Sequence, residues 1–318
     1  MTAVVEAHGL TRSFGPQLAL DGLTLDVQAG EVLALLGPNG AGKTTTVRLL
    51  NGVLDPNAGS AQVLGLDPWK QGDDLRRRTG VLTENAGLDE RLSARENLEF
   101  TGRVRGMSAA VARARVDALL ERFGMGDKAD EQVQGFSTGE RKRIALGRAL
   151  LHDPDVLFLD EPTSGLDPAA TRDVVDLIGT LATEHGRAVV LCTHFLGEAG
   201  RLAHRMAVLH KGRLKAFGRP DELAARLWDS LDADLDLGAA ADERTIASIS
   251  QLDGVVDAAA SAYGARVRVR DRAVLPVLVA ALVAREVPVY AAIPRPPTLE
   301  DVYFAIEARV ARGEDPLT

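Results

Sequence analysis

The sequence predicts an α/β domain organised round a phosphate-binding loop, followed by a smaller α+β domain. Three observations carry that expectation. The apolar run 31–36 leads into Gly37-Pro38-Asn39-Gly40-Ala41-Gly42-Lys43-Thr44-Thr45 and then into the helix-patterned stretch 46–50. Two further apolar runs, 155–162 and 188–193, read as strands buried on both faces, as in the middle of a parallel sheet. Beyond residue 218 the pattern changes to short strands and helices without a second phosphate motif. The expected division is therefore residues 1–218 and 219–318.

The totals fit two soluble domains. The 318 residues are 46% hydrophobic and 26% charged, enough for one large core and one small one. A net charge of −8 argues against a nucleic-acid partner, which needs a basic surface. The short basic runs 76–78 and 141–143 read as solvated helix faces. The single cysteine, Cys192, excludes an internal disulfide and fits a reducing cytoplasm. No signal segment is visible at the start. The longest apolar stretch, 273–284, contains Pro276 and is shorter than the roughly 20 residues a membrane span needs.

Taken in order, residues 4–10 and 18–27 read as strands, the second interrupted at Asp21-Gly22. Phe14 falls in the polar turn 11–16, where it either stacks on a base or packs. The loop 37–45 has the spacing G-x-x-x-x-G-K-[ST]. Its glycines let backbone N–H groups converge on phosphate oxygens, and the helix N-terminus adds partial positive charge. Lys43 is placed to reach the β- and γ-phosphates and Thr44 to complete a Mg²⁺ shell.

Residues 51–65 are rich in turn formers, and 79–83 is a strand ending at Glu84. From 88 to 151 the pattern is helical, an insertion within the sheet domain. There Ser108 caps a helix whose face carries Val111, Val116, Leu119, Leu120 and Phe123. Ser137 and Gly139 stand at the N-terminus of the next helix, a second place to hold an anion or an ordinary cap.

The strand 155–160 ends in Asp160-Glu161. Ligands of parallel sheets sit at such strand ends. Asp160 is positioned to hold Mg²⁺, directly or through water, and Glu161 to accept a proton from an attacking water. His194 closes the strand 188–193 at the same sheet edge, which favours a γ-phosphate contact over a structural role. Asp167, in the turn 164–168 ahead of a helix, also fits an N-cap.

The order of these segments over residues 4–218 resembles the ATP-binding subunits of ATP-binding cassette (ABC) transporters. The resemblance implies a P-loop NTPase cassette, with a mixed sheet core, an antiparallel β subdomain and a helical subdomain. It implies that 37–45 is the Walker A loop, 156–160 Walker B, Glu161 the catalytic glutamate, 164–167 the D-loop, His194 the switch histidine and Phe14 the adenine-stacking aromatic. Phe136-Ser137-Thr138-Gly139-Glu140 stands where the family has Leu-Ser-Gly-Gly-Gln, and Glu84 where it has the Q-loop glutamine, facing Mg²⁺ or its water. In that family the phosphate loop of one chain and the signature of another close on one ATP. A second copy or a homologous ATPase is therefore expected, together with a separate membrane permease that keeps the chain on the inner face of the cell membrane.

Residues 220–309 follow the order helix, strand, helix, strand, strand, helix, strand, helix, which contains the split βαβ pattern of ferredoxin-like domains. A regulatory or dimer-stabilising domain and an inert extension are both compatible with it. The tail 297–303, Pro-Thr-Leu-Glu-Asp-Val-Tyr, resembles that of ABC subunits serving two-part drug and antibiotic exporters. The resulting expectation is an ATPase powering export of a drug-like or hydrophobic compound. The alternatives are a soluble ABC-type ATPase of DNA repair or translation, and an importer ATPase with a regulatory C-terminal domain.

Overall fold

The computed structural model describes residues 3–83 and 87–317. The chain divides into two units, Met1–Arg219 and Pro220–Thr318.

The first unit opens with two long strands, β1 (Ala3–Phe14) and β2 (Gln17–Gln28), paired antiparallel. β3 (Val32–Leu36) follows and, through the phosphate loop, α1 (Lys43–Leu50). β4 (Ala58–Val63) then returns to pair antiparallel with β1. Phe14 is the last paired residue of β1, opposite Gln17, and not a member of a polar turn. β2 is likewise continuous through Asp21-Gly22, because pairing to β1 absorbs the irregularity as register shifts. β4 lies inside a stretch read from sequence as turns. Its Ala-Gly-Ser-Ala-Gln composition is poor in strand formers, and it exists because β1 offers an edge. Gly59 is required there: a Cβ would lie 2.4 Å from the Gly9 carbonyl oxygen.

α2 (Gly72–Arg78) and β5 (Thr79–Leu82) lead to the helical insertion, made of α3 (Ala94–Val104), α4 (Ala109–Arg122) and α5 (Thr138–Leu150). Ser108 caps α4 as expected, accepting from the Val111 amide at 3.4 Å. Val111 itself is 52% exposed, and Ala112, Val116 and Leu120 form the buried face instead. The basic run 141–143 is not a solvated face. Lys142 is 5% exposed, and Arg141 donates to the carbonyls of Phe136 and Gln134.

The remaining elements of this unit are β6 (Val156–Asp160), α6 (Pro168–Thr183), β7 (Ala188–Cys192), α7 (Leu196–Leu202), β8 (Arg205–His210) and β9 (Arg213–Gly218). Six strands form the main sheet in the order β5-β6-β7-β3-β8-β9, parallel except for the last pair. Strand periodicity then sorts the core into two layers. Leu33, Leu35, Phe158, Val190 and Cys192 pack with β1, β2 and α1, whereas Val32, Leu157, Leu159, Val189 and Leu191 pack with α5 and α6. Both faces being covered, the central strands are apolar throughout, and the polar residues at their C-terminal ends are what the sheet presents to a ligand.

The second unit comprises α8 (Pro220–Leu227), β10 (Leu231–Asp236), α9 (Glu243–Ser250), β11 (Val255–Ser261), β12 (Gly264–Val269), α10 (Val274–Val283), β13 (Ala291–Arg295) and α11 (Leu299–Ala311). Its sheet has the order β11-β12-β10-β13 with every neighbour antiparallel, so the two strand–helix–strand segments interleave. The last strand begins at Ala291, later than the 287–293 expected, since a turn intervenes after α10. Ala233, Leu235, Val267, Leu278 and Leu282 lie in its core. On the other face Asp232 and Asp234 pair across strands with Arg268 and Arg266 at 2.8 and 3.2 Å.

Candidate active site

The loop between β3 and α1 is held by close backbone approaches that only glycine permits. Gly37 has φ 147°, and a Cβ on it would meet the Leu209 carbonyl oxygen at 2.2 Å; Gly42 has φ 110°, with the Ala19 carbonyl oxygen 2.8 Å from the same point. Gly42 is also the N-cap of α1 and supplies no side-chain acceptor. The first-turn amides of α1 therefore have no cap, in contrast to α3, α5 and α6, which Ser93, Ser137 and Asp167 cap. Lys43 folds back over this cradle, its Nζ donating to the carbonyls of Gly37 at 2.5 Å and Pro38 at 3.2 Å. The result is a ring of donors and one cation with no carboxylate inside it, which suits a polyphosphate.

Thr44 points the other way along the helix start and donates to Asp160 Oδ2 at 3.1 Å. Asp160 ends β6, buried, and Glu161 follows it in a left-handed conformation, φ 51°. That conformation costs a non-glycine residue of order 1–3 kcal/mol. Here the Glu161 amide is tied to the Cys192 carbonyl at 2.8 Å. The turn sends two adjacent carboxylates to different partners, Asp160 to Thr44 and Glu161 across to the end of β7.

Glu161 is gripped by three donors. Oε1 accepts from the His194 amide at 3.0 Å and lies 2.8 Å from His194 Nδ1, and Oε2 accepts from the Thr193 hydroxyl at 3.2 Å. With a carboxylate at Nδ1, that nitrogen carries a proton and Nε2 is left to face outward. Phe195 lies against the exposed imidazole, ring centroids 4.0 Å apart. Thr193 and Phe195 went unnoticed in the sequence; their position flanking His194 was the only available signal. Cys192, one residue earlier, is fully buried, and burial, then the nearby Asp160, push its thiol far above the usual range, so it is inert as a nucleophile.

The remaining site residues from sequence have contacts of their own. Phe14 is 43% exposed with the Arg12 guanidinium 5.0 Å from its ring centre. Ser137 caps α5, its hydroxyl accepting from the Glu140 amide at 3.3 Å while the Glu140 carboxylate accepts from the Ser137 amide at 2.8 Å. Glu140 is also ion-paired to Lys128 at 2.5 Å, and that ammonium, together with the Ser137 amide, holds its carboxyl down at about 2. Gly139 faces Gly165 and Leu166, so this turn packs on the segment after Glu161. Asp167 caps α6, accepting from Ala169 and Ala170 at 3.0 and 2.9 Å, and pairs with Arg143. Glu84 lies outside the described residues. Pro38, Asn39, Gly40, Ala41 and Thr45 complete the loop into α1. Among the described residues no cluster of three or more His, Cys, Asp or Glu side chains could hold a metal, and no helix is long and apolar enough to cross a membrane.

A glycine cradle on a helix start, a lysine over it and paired acids at the end of the neighbouring parallel strand define a P-loop nucleoside triphosphatase. The profile of the ABC transporter family matches residues 20–164. Over 221 residues the chain is 45% identical to the daunorubicin resistance ATP-binding protein DrrA3 of Streptomyces coeruleorubidus, covering 70% of each. It is 44% identical over 223 residues to the Nod factor export ATP-binding protein I of Paraburkholderia xenovorans, covering 70% of this chain and 73% of that one. Among solved structures, an ATP-binding subunit of an ABC transporter superposes with a TM-score of 0.66 at 30% identity, over 70% of this chain and 92% of that one. The dimeric post-hydrolysis state of the cassette MJ0796, bound to ADP and Pi, gives 0.62 at 25% identity over 68% and 98%. The chain belongs to the ABC transporter family, as an ATP-binding, ATP-hydrolysing subunit.

Proposed function

We propose that this chain is the ATPase of a two-part exporter, in which two ATP-binding chains close on two MgATP and drive a separate membrane permease that expels a drug-like or hydrophobic compound. The observation that carries the catalytic part is the fixed Glu161 carboxylate, held by Thr193 and His194 beside the Thr44–Asp160 pair. The names of the relatives, drug resistance and Nod factor export proteins, support the export direction over DNA repair, translation or import.

In this reading the amides of loop 37–45 and Lys43 hold the β- and γ-phosphates, Lys43 leaving the Gly37 and Pro38 carbonyls to do so, and Phe14 stacks on the adenine. Thr44 and Asp160, with Glu84 assigned beside them, would hold Mg²⁺ directly or through water. So small a protein ligand set suits an ion that keeps waters and substrate phosphates as its other ligands. Bound there, Mg²⁺ neutralises charge on the phosphates. Glu161 takes a proton from water as its oxygen attacks the γ-phosphorus and the bond to the β-phosphate oxygen breaks, giving ADP and phosphate. His194 fixes the carboxylate through Nδ1 and offers Nε2 to the γ-phosphate side. Ser137 and Gly139 serve the ATP of the opposite chain, which the exposure of Ser137 supports. Glu140 and Asp167, with their carboxylates engaged within this chain, contribute by shaping those two turns. The C-terminal unit we assign to the ferredoxin-like class.

Glu161→Gln tests the assignment. The amide keeps the shape and accepts no proton, so turnover falls by about 10²- to 10⁴-fold while ATP affinity is retained. Steady-state ATPase assays with nucleotide-binding fluorescence read both quantities. Undiminished turnover rejects Glu161 as the base.

A further inference from the structure

The sheet of the C-terminal unit buries Ala233, Leu235 and Val267 on one face and carries a charge ladder on the other. Strand register sets Arg268 and Arg295 on either side of Asp232, and Arg266 and Ile293 on either side of Asp234. Arg268 takes Asp232 at 2.8 Å and Arg266 takes Asp234 at 3.2 Å. Arg295 does not use Asp232 straight across; it reaches diagonally to Asp234. Asp234 therefore serves two guanidiniums, each through Nε alone, and among the described residues their Nη groups have no partner. Arg268 has acids on both sides, Asp232 on β10 and Asp257 on β11. The Arg266–Arg295 end has two cations to one anion.

These arginines line a cleft of about 730 Å³, a volume typical of small-molecule sites. The rest of its wall is apolar: Trp228 at the end of α8, Ile293, and Pro296-Pro297 ahead of α11. Prolines have no amide hydrogen and a fixed φ, so that wall is stiff and offers no donor there. The carboxylate beside it, Asp301, is spent on Thr298, accepting from its amide at 2.8 Å and its hydroxyl at 2.7 Å. Trp228 is half-buried, and among the described residues its indole N–H has no partner. A ladder that only tied strands together would match each base with an acid and would need no aromatic beside it. Unused guanidinium donors suit a carboxylate, which they can grip with two parallel hydrogen bonds, and an indole beside prolines suits a flat ring. A single surplus charge favours a monoanion, since a polyphosphate would press against Asp232 and Asp234. We propose that this cleft binds a flat aromatic carboxylate, with its ring on Trp228 and the proline wall and its carboxylate on Arg266 and Arg295. Every residue of the site lies in the C-terminal unit, so the proposal does not rest on the ATPase reading.

The test titrates the full-length chain with 2-naphthoate by calorimetry. Binding should occur with a dissociation constant below about 1 mM, an affinity within reach of a ligand of this size. The uncharged isostere 2-naphthylmethanol should bind at least about tenfold more weakly, a comparison that needs no variant. Arg295→Gln should weaken 2-naphthoate at least about tenfold, and Trp228→Leu, which keeps an apolar side chain but removes the ring, about fivefold. Arg270→Gln should leave it unchanged, because Arg270 lies outside the cleft and pairs with Asp253. Saturating MgADP should not displace the ligand. Absence of binding, equal affinity for the acid and the alcohol, or equal losses in Arg295→Gln and Arg270→Gln would each overturn the assignment. So would displacement by MgADP, which would put 2-naphthoate in the nucleotide site, or an acidic peptide that binds through Arg295 where 2-naphthoate does not.

Discussion

At residue 161 the backbone adopts a conformation that most side chains avoid, and at residue 152 a titratable ring is buried. Both follow from what surrounds the residue. His152 Nε2 donates to the Thr79 carbonyl at 3.0 Å, its Nδ1 is buried without a partner, and burial, then the charge of Arg105, push its pKa from 6.5 down to about 4. Above pH 6.5 the ring is neutral folded or unfolded and contributes no pH dependence. Between 6.5 and 4 the unfolded chain binds a proton that the folded chain refuses, so stability falls as pH falls through that window. His152→Gln should flatten this slope, seen as a smaller loss of urea midpoint between pH 7 and pH 5 than the parent shows. Equal losses would mean that the imidazole does not set the acid sensitivity. The loop 37–45 and the pair Asp160-Glu161 were legible in sequence because their chemistry is local. The donors around Glu161 and the burial of Lys142 were not, since they depend on strands and helices far apart in the chain meeting in register.

At the scale of elements, those with a strong internal signal were legible and those made by a neighbour were not. β3, β6 and β7 are unbroken apolar runs, and α4, α5 and α6 carry their own caps. β4 and the last part of β1 exist through pairing, which a single segment does not encode. α3 illustrates the self-specified kind. Ser93 Oγ accepts from the Glu96 amide at 3.1 Å, and the Glu96 carboxylate accepts from the Ser93 amide at 2.7 Å. Ser93→Ala should lower the stability of the first unit by about 1 kcal/mol, with an unchanged denaturant slope, because one amide of the first helical turn loses its acceptor. Urea titration of the two proteins checks it; a loss below about 0.3 kcal/mol would show that the Glu96 half of the box suffices.

At the scale of the molecule, each unit has a hydrophobic core of its own. The sheet and helical clusters of the first unit draw on residues between Val4 and Phe217, and the C-terminal cluster on residues between Leu231 and Ala292. Every residue placed at the ATP site, from Phe14 to His194, belongs to the first unit. The two tryptophans divide the same way: Trp69, whose indole donates to the Leu54 carbonyl at 2.7 Å, reports on the first unit and Trp228 on the second. A chain of residues 1–219 should therefore fold alone, with Trp69 protected from quencher as in the full chain, and should bind ATP within about twofold of it, a difference of about 0.4 kcal/mol. Quenching and titration of the two proteins with a fluorescent ATP analogue check these expectations. A shortened chain that folds but does not bind ATP would mean that the C-terminal unit completes the nucleotide site.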